Sequence, residues 1–182
     1  MHETGREMTQ PNIFLVGPMG AGKSAVGRQL ARIMRRNFCD SDAEIEARTG
    51  VDIAYIFEKE GEPGFRRRER EVLVELTALE GIVLATGGGA VLDPENRKRL
   101  ASRGLVVYLD ASVEQQLSRT RMSGHRPLLN GPDPAARLAA LMQERAPLYL
   151  EVADLVVHTD GRKVREVAQE ISRRLVESNG DN

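Results

Sequence analysis

A single cysteine, Cys39, stands in the 182-residue chain, so no internal disulfide can brace it, and it reads as a small buried residue. Net charge is equally scarce. The 26 basic side chains face 27 acidic ones, a formal −1, which leaves no overall field to draw the molecule onto phosphate backbones or acidic lipid. Any anion site must therefore be local. Long apolar runs are missing too, and stretches such as 105–109 fall far short of a membrane span. Residues 1–10 mix both signs of charge and lack the apolar core of a secretory signal, so a cytoplasmic location is expected. The histidines, His2, His125 and His158, show no metal-site spacing. Aromatic residues make up only 4%, and Tyr55, Phe57 and Phe65 read as packing residues, not as a platform for nucleic-acid bases.

What is present describes one ordinary domain. The hydrophobic fraction is 41% and the charged fraction 29%, neither disordered nor polyelectrolyte in composition. Apolar runs at 13–16, 82–85, 105–109 and 155–158 are each followed by a helix-like stretch, and Phe38 marks a weaker strand at 37–40. Runs that are apolar throughout suit strands covered on both faces, and their alternation with helices predicts an α/β fold with a parallel sheet. Asp93-Pro94 and Asp133-Pro134 open helices, Gly104 ends the first of these, and Ser112 with Gln115 forms a capping-box pattern ahead of a helix over 113–121. Helices are also expected over 23–35, 41–49, 52–60, 63–79 and 163–176. The irregular stretch 122–132, with Gly124, Pro127, Gly131 and Pro132, has the length and composition of a lid.

Gly17-Pro18-Met19-Gly20-Ala21-Gly22-Lys23-Ser24 matches GxxxxGK[ST] and lies between a predicted strand and an amphipathic helix, as the mechanism of that motif requires. Glycines let successive backbone N–H groups curl around one anion, and the helix start adds its dipole. Lys23 is then placed for the β- and γ-phosphates and Ser24 for Mg²⁺, with Gly20, Ala21, Gly22 and Ala25 completing the nucleotide cradle. No Asn-Lys-x-Asp guanine-reading segment follows. Asp110, closing the run Val106-Val107-Tyr108-Leu109-Asp110, reads either as a metal carboxylate at a strand end or as the residue ahead of the Ser112 cap.

Two further features join the loop. Asp40 and Asp42 end the second strand at a sheet edge where ligands bind, although Asp42 also suits a plain helix start. Gly87, Gly88 and Gly89 follow a buried strand and let a ligand approach the backbone, or simply make a tight turn. With Gly64-Phe65-Arg66, Arg126-Pro127-Leu128-Leu129 and Arg145-Ala146-Pro147-Leu148-Tyr149, the set resembles the shikimate kinase family.

The resemblance implies a three-layer P-loop kinase fold with a five-stranded parallel sheet of order 2-3-1-4-5 and a lid. It implies a single domain over 12–177 between polar tails at 1–11 and 178–182, with an acceptor-binding region about 41–70 and the lid about 122–133. It also implies an ATP-dependent kinase acting on the 3-hydroxyl of shikimate, with Mg²⁺, in aromatic amino-acid biosynthesis. Its partners are then the small molecules ATP and shikimate, without nucleic acid or membrane, and a monomer is expected. Residue by residue, Asp42 would orient or deprotonate the acceptor hydroxyl, Asp40 would join Ser24 at the metal, and Arg66 and Arg145 would hold the acceptor carboxylate in bidentate forks. Taken alone, Arg66 in its Arg-rich run reads as part of a solvated helix face; Glu58, Glu60, Glu62, Glu69 and Glu71 around that run argue against a nucleic-acid patch. Gly87, Gly88 and Gly89 would bind acceptor and phosphate together, Arg126 would meet the transferring phosphoryl group, and Arg119 is either an adenine-stacking residue or a surface arginine. A gluconate or nucleoside monophosphate kinase is the nearest enzyme alternative, and a nucleotide-dependent binding module the alternative of another class.

Overall fold

The computed structural model describes residues 10–122 and 127–180. Along the chain run β1 (Asn12–Val16), α1 (Lys23–Met34), β2 (Asn37–Asp40), α2 (Ser41–Thr49), α3 (Ile53–Leu76), β3 (Ile82–Ala85), α4 (Pro94–Arg103), β4 (Gly104–Asp110), α5 (Val113–Met122), α6 (Pro134–Val152), β5 (Leu155–His158) and α7 (Val164–Gly180). All strand pairs are parallel, in the order β2-β3-β1-β4-β5. Successive β1 residues feed opposite faces, as the two-residue period of a strand demands. Phe14 and Val16 join Leu73, Leu84, Leu100 and Tyr149 on the side of α3, α4 and α6, whereas Ile13 and Leu15 join Leu30, Val83, Val107 and Ile171 on the side of α1 and α7. At roughly 1.5–3 kcal/mol for each fully buried large apolar side chain, this two-sided burial holds the sheet far more firmly than strand propensity does.

The parallel arrangement sends the C-terminal ends of β1, β2 and β3 to one edge, where the Gly17–Gly22 loop, the Asp40–Asp42 corner and the Thr86–Gly89 loop meet. Several boundaries differ from the sequence reading. The separation expected between helices at 52–60 and 63–79 is present as a break in α3 at Gly61 (φ 69°, ψ −179°), just ahead of Pro63, but the second part ends at Leu76, not 79, because the backbone turns over 77–79. Residues 178–180, expected in the tail, continue α7, in which Ser178 Oγ donates to the Arg174 carbonyl at 2.6 Å. Within the expected lid, Met122 ends α5 and Pro127–Leu129 form a 3₁₀ turn. Arg126 and His125 lie outside the described residues. No described helix is long and apolar enough to cross a membrane.

Candidate active site

The phosphate loop has the backbone its glycines predict. Gly20 takes φ +79°, and a Cβ there would come within 2.9 Å of the Gln116 backbone, so a side chain is excluded both by conformation and by the approach of α5. Lys23 Nζ donates to the Gly17 and Pro18 carbonyls at 2.7 and 2.9 Å, which folds the lysine stem over the loop. Ala21 behaves differently from its neighbours: its methyl is wholly buried in the α1-side core and its N–H donates to the Pro18 carbonyl at 3.2 Å. It shapes the loop from beneath.

Asp40 does two things at once. Its Oδ1 accepts from the Ala43 N–H at 3.1 Å and caps α2, while Oδ2 accepts from Ser24 Oγ at 2.5 Å. Asp42, in the first turn of α2, lies beside the glycine loop that follows β3. Ser41 Oγ accepts from the Gly87 N–H at 3.1 Å, so that N–H is engaged within the protein. The corner is braced further by Thr86, whose N–H and Oγ1 both donate to the Leu15 carbonyl, at 3.1 and 2.9 Å.

One cavity is lined by Gly20, Lys23, Ser24, Asp40 and Arg119, and a second by Ile53, Phe57, Phe65, Arg66, Glu69, Leu128 and Arg145; Met19, Asp42, Gly87 and Gly88 line both. The first has the donors and hard oxygens of a nucleotide site. The second combines apolar side chains with the guanidiniums of Arg66 and Arg145. Arg119 is half-buried, lines the first cavity, and its Nη1 donates to the Gly20 carbonyl at 3.3 Å. Asp110 resolves against the metal reading: its Oδ1 accepts from Tyr108 at 3.1 Å, its Oδ2 meets His158 Nδ1 at 2.8 Å, and it lines neither cavity. The Ser112 cap is as expected, with Gln115 N–H donating to its Oγ at 3.1 Å.

Sequence reasoning treated Glu69 as one surface charge among several, yet it is 1% exposed. Its Oε1 accepts from Arg66 Nη1 at 2.9 Å, and Glu62 Oε1 accepts from Arg66 Nη2 at 3.1 Å, so two carboxylates aim that fork. The close fit needs a glycine opposite, because a Cβ on Gly89 would lie 2.3 Å from Arg66 Nη2. Glu69 Oε2 has no hydrogen-bond partner among the described residues, and it and Asp42 Oδ1 lie 2.7 and 2.8 Å from where a Cβ on Gly87 would sit. Two acidic oxygens thus converge on the wall between the cavities. The signal that could have singled out Glu69 is its i+3 spacing from Arg66.

Burial pushes the Glu69 carboxyl above its ordinary value, against the pull of the Arg66 and Arg145 guanidiniums. The folded protein then keeps a proton that the unfolded chain has already released, so this group's contribution to stability is full below the unfolded value and is lost as pH rises through the folded one. Relative to wild type, Glu69→Gln should lose that downward slope as pH rises from about 4.5, the unperturbed value. Urea unfolding at a series of pH values measures it, and parallel wild-type and variant profiles would contradict the assignment.

The geometry agrees with what the chain resembles. Residues 19–176 match the family model described as shikimate kinase. The shikimate kinase of Halorhodospira halophila is 59% identical over 93% of this chain and 94% of its own length, and that of Pseudomonas entomophila is 58% identical over 90% and 95%. Among solved structures, the shikimate kinase of Acinetobacter baumannii in complex with shikimate superposes with a TM-score of 0.91 at 52% identity, covering 93% of this chain and 95% of that one. The Aquifex aeolicus shikimate kinase gives 0.80 at 39% identity over 93% and 98%. With agreement of this depth along nearly the whole length of both partners, in sequence and in fold, the chain belongs to the shikimate kinase family.

Proposed function

We propose that this chain transfers the γ-phosphate of ATP to the 3-hydroxyl of shikimate, giving shikimate 3-phosphate and ADP in the biosynthesis of aromatic amino acids. The observation that carries the reading is the shared wall: Met19, Asp42, Gly87 and Gly88 border both the phosphate-loop cavity and the two-arginine cavity. A phosphoryl group passing from donor to acceptor crosses there. Shikimate offers a carboxylate at one end of its ring and hydroxyls at the other, which suits Arg66 and Arg145 facing it from one side and Asp42 from the other.

Each residue then has a stated task. Lys23 leaves its loop carbonyls for the β- and γ-phosphates, and Arg119 holds the far side of the loop near the base. Asp42 accepts a hydrogen bond from the acceptor hydroxyl and takes its proton as the oxygen bonds to the γ-phosphorus and the bond to the β–γ bridging oxygen breaks. Gly88 and Gly89 let the acceptor reach the backbone. Residues 41–70 supply the acceptor side and 122–133 its cover, of which Pro127 and Leu128 line the acceptor cavity; Arg126, outside the described residues, is assigned the phosphoryl-facing charge. The Ser24 hydroxyl and Asp40 Oδ2, 2.5 Å apart at the nucleotide cavity, are hard oxygens that suit Mg²⁺. Among the described residues no group of three or more His, Cys, Asp or Glu forms a cage, so such an ion would draw its remaining ligands from phosphate and water. It would neutralise charge on the phosphates. The reading carries with it a monomer acting on the small molecules ATP and shikimate in the cytoplasm.

ADP release from MgATP, assayed with shikimate, quinate, gluconate and nucleoside monophosphates in separate reactions, should be stimulated strongly by shikimate alone. Equal stimulation by gluconate or a nucleotide would overturn the reading. In the same assay Arg66→Lys and Arg145→Lys, which keep the charge and lose the fork, should raise the KM for shikimate about tenfold or more and leave that for ATP nearly unchanged.

A further inference from the structure

Arg145 and the glycine loop reach the acceptor cavity from different elements, and one side chain bridges them. Tyr149 lies one helical turn after Arg145 on α6, so both project from the same face. It is 1% exposed, with its ring set against Tyr108 at a centroid distance of 5.0 Å and 33° between planes. Nothing in that packing requires a hydroxyl; a phenylalanine would fill the same space. Yet the hydroxyl donates to the Gly88 carbonyl at 2.5 Å, and Arg145 Nη1 lies 3.6 Å from where a Cβ on Gly88 would sit, so phenol and guanidinium meet at that one residue. Burial pushes the phenol up to about 12, against the pull of Arg145, so at neutral pH it keeps the proton it donates.

The consequence for the loop follows from peptide geometry. A carbonyl oxygen and the next N–H point to opposite sides of a trans peptide, so holding the Gly88 carbonyl fixes the direction of the Gly89 N–H. Gly88 is one of the residues that border both cavities. Arg145 is 3% exposed and its Nε has no partner among the described residues, so neither solvent nor an acid at that atom orients it.

We propose that Tyr149 is a positioning residue for phosphoryl transfer: its hydroxyl ties the guanidinium that reads the acceptor carboxylate to the backbone loop at the transfer wall, so that seating one end of the acceptor sets the other. This rests on the shikimate reading above and adds to it a role for a group that touches neither reacting atom.

Tyr149→Phe keeps the ring and removes the tie. The KM for shikimate should rise about tenfold and kcat should fall severalfold, while the KM for MgATP stays within about twofold. The discriminating readout is the ratio of kcat/KM for shikimate to that for its carboxamide analogue. Because Tyr149 acts through Arg145, that ratio should shrink in the variant. Equal losses for both acceptors, or a lowered melting temperature with unchanged kinetics, would mean that the hydroxyl serves the fold alone and would overturn the proposal. Should the variant fail to fold, the wild-type protein decides. The Tyr149 hydroxyl proton, slowed in exchange by burial, should shift in its NMR spectrum on adding shikimate without nucleotide and should stay in place with the carboxamide; no shift at saturating shikimate overturns the tie. A wild-type enzyme that fails to phosphorylate shikimate would instead sink the underlying reading.

Discussion

Lys23→Met should lower turnover by a factor on the order of 10² to 10³, the cost of losing one preorganised charge aimed at a transferring phosphoryl group. The stem survives the substitution; the ammonium does not. That ammonium also donates to the Gly17 and Pro18 carbonyls, so its removal loosens the loop as well. The effect on stability should be small by comparison, about 1–3 kcal/mol at most for acceptors left unsatisfied, because the hydrophobic residues around the loop, Ala21, Val26 and Leu30, are untouched. Circular dichroism and turnover measured on the same preparation separate the two. Wild-type turnover would remove the loop from the reaction.

Asp42→Asn should cut kcat by about 10² to 10⁴, the range for a positioned general base, with nucleotide affinity changed far less. The side chain keeps its shape, and the cap of α2 is unaffected because Asp40, not Asp42, supplies it. The location decides the sign of the split between the two substrates. Asp42 borders both cavities, but the side chains proposed to serve the nucleotide line only the first and belong to Lys23, Ser24 and Arg119. Nucleotide titration alongside steady-state kinetics measures the split. A variant that bound ATP weakly and turned over normally at saturation would place Asp42 in the service of the nucleotide.

How legible these features were in the sequence depends on whether their physical cause is local. The phosphate loop is local: positive-φ glycines, a lysine and a helix start lie within eight consecutive residues, from Gly17 to Ser24. The sheet was legible because β1, β3 and β4 are buried on both faces and therefore read as unbroken apolar runs. Its edge strand β2, half exposed, showed only as Phe38. Glu69 was not legible. Its neighbours in sequence include exposed acids such as Glu71, and only the approach of Gly87, Arg145 and Asp42 from three other segments turns one of these carboxylates into a buried one. Tyr149 failed for a similar reason, since the Gly88 carbonyl it meets is 61 residues away. The break at Gly61 was legible, since its signal lies in Gly61 and Pro63 themselves.

The excursion between β2 and β3 has a consequence for how an acceptor could be exchanged. All of α2 and α3, with Asp42, Phe57, Phe65, Arg66 and Glu69, is a single detour from the edge of the sheet, whereas the donor side is built on β1, α1 and α5. Along the chain, then, the choice of what is phosphorylated and the means of phosphorylating it are inherited as separate pieces. A transplant of that detour would carry most of the acceptor's contacts with it and leave the phosphate loop as it was. Arg145 is the stitch that prevents a clean exchange, because it arrives from α6 and meets the detour only in the folded state. On the role proposed for Arg145, a graft for an uncharged acceptor would leave that buried guanidinium without the acceptor carboxylate it is to hold, so the donor scaffold itself would favour acceptors that bring a negative charge.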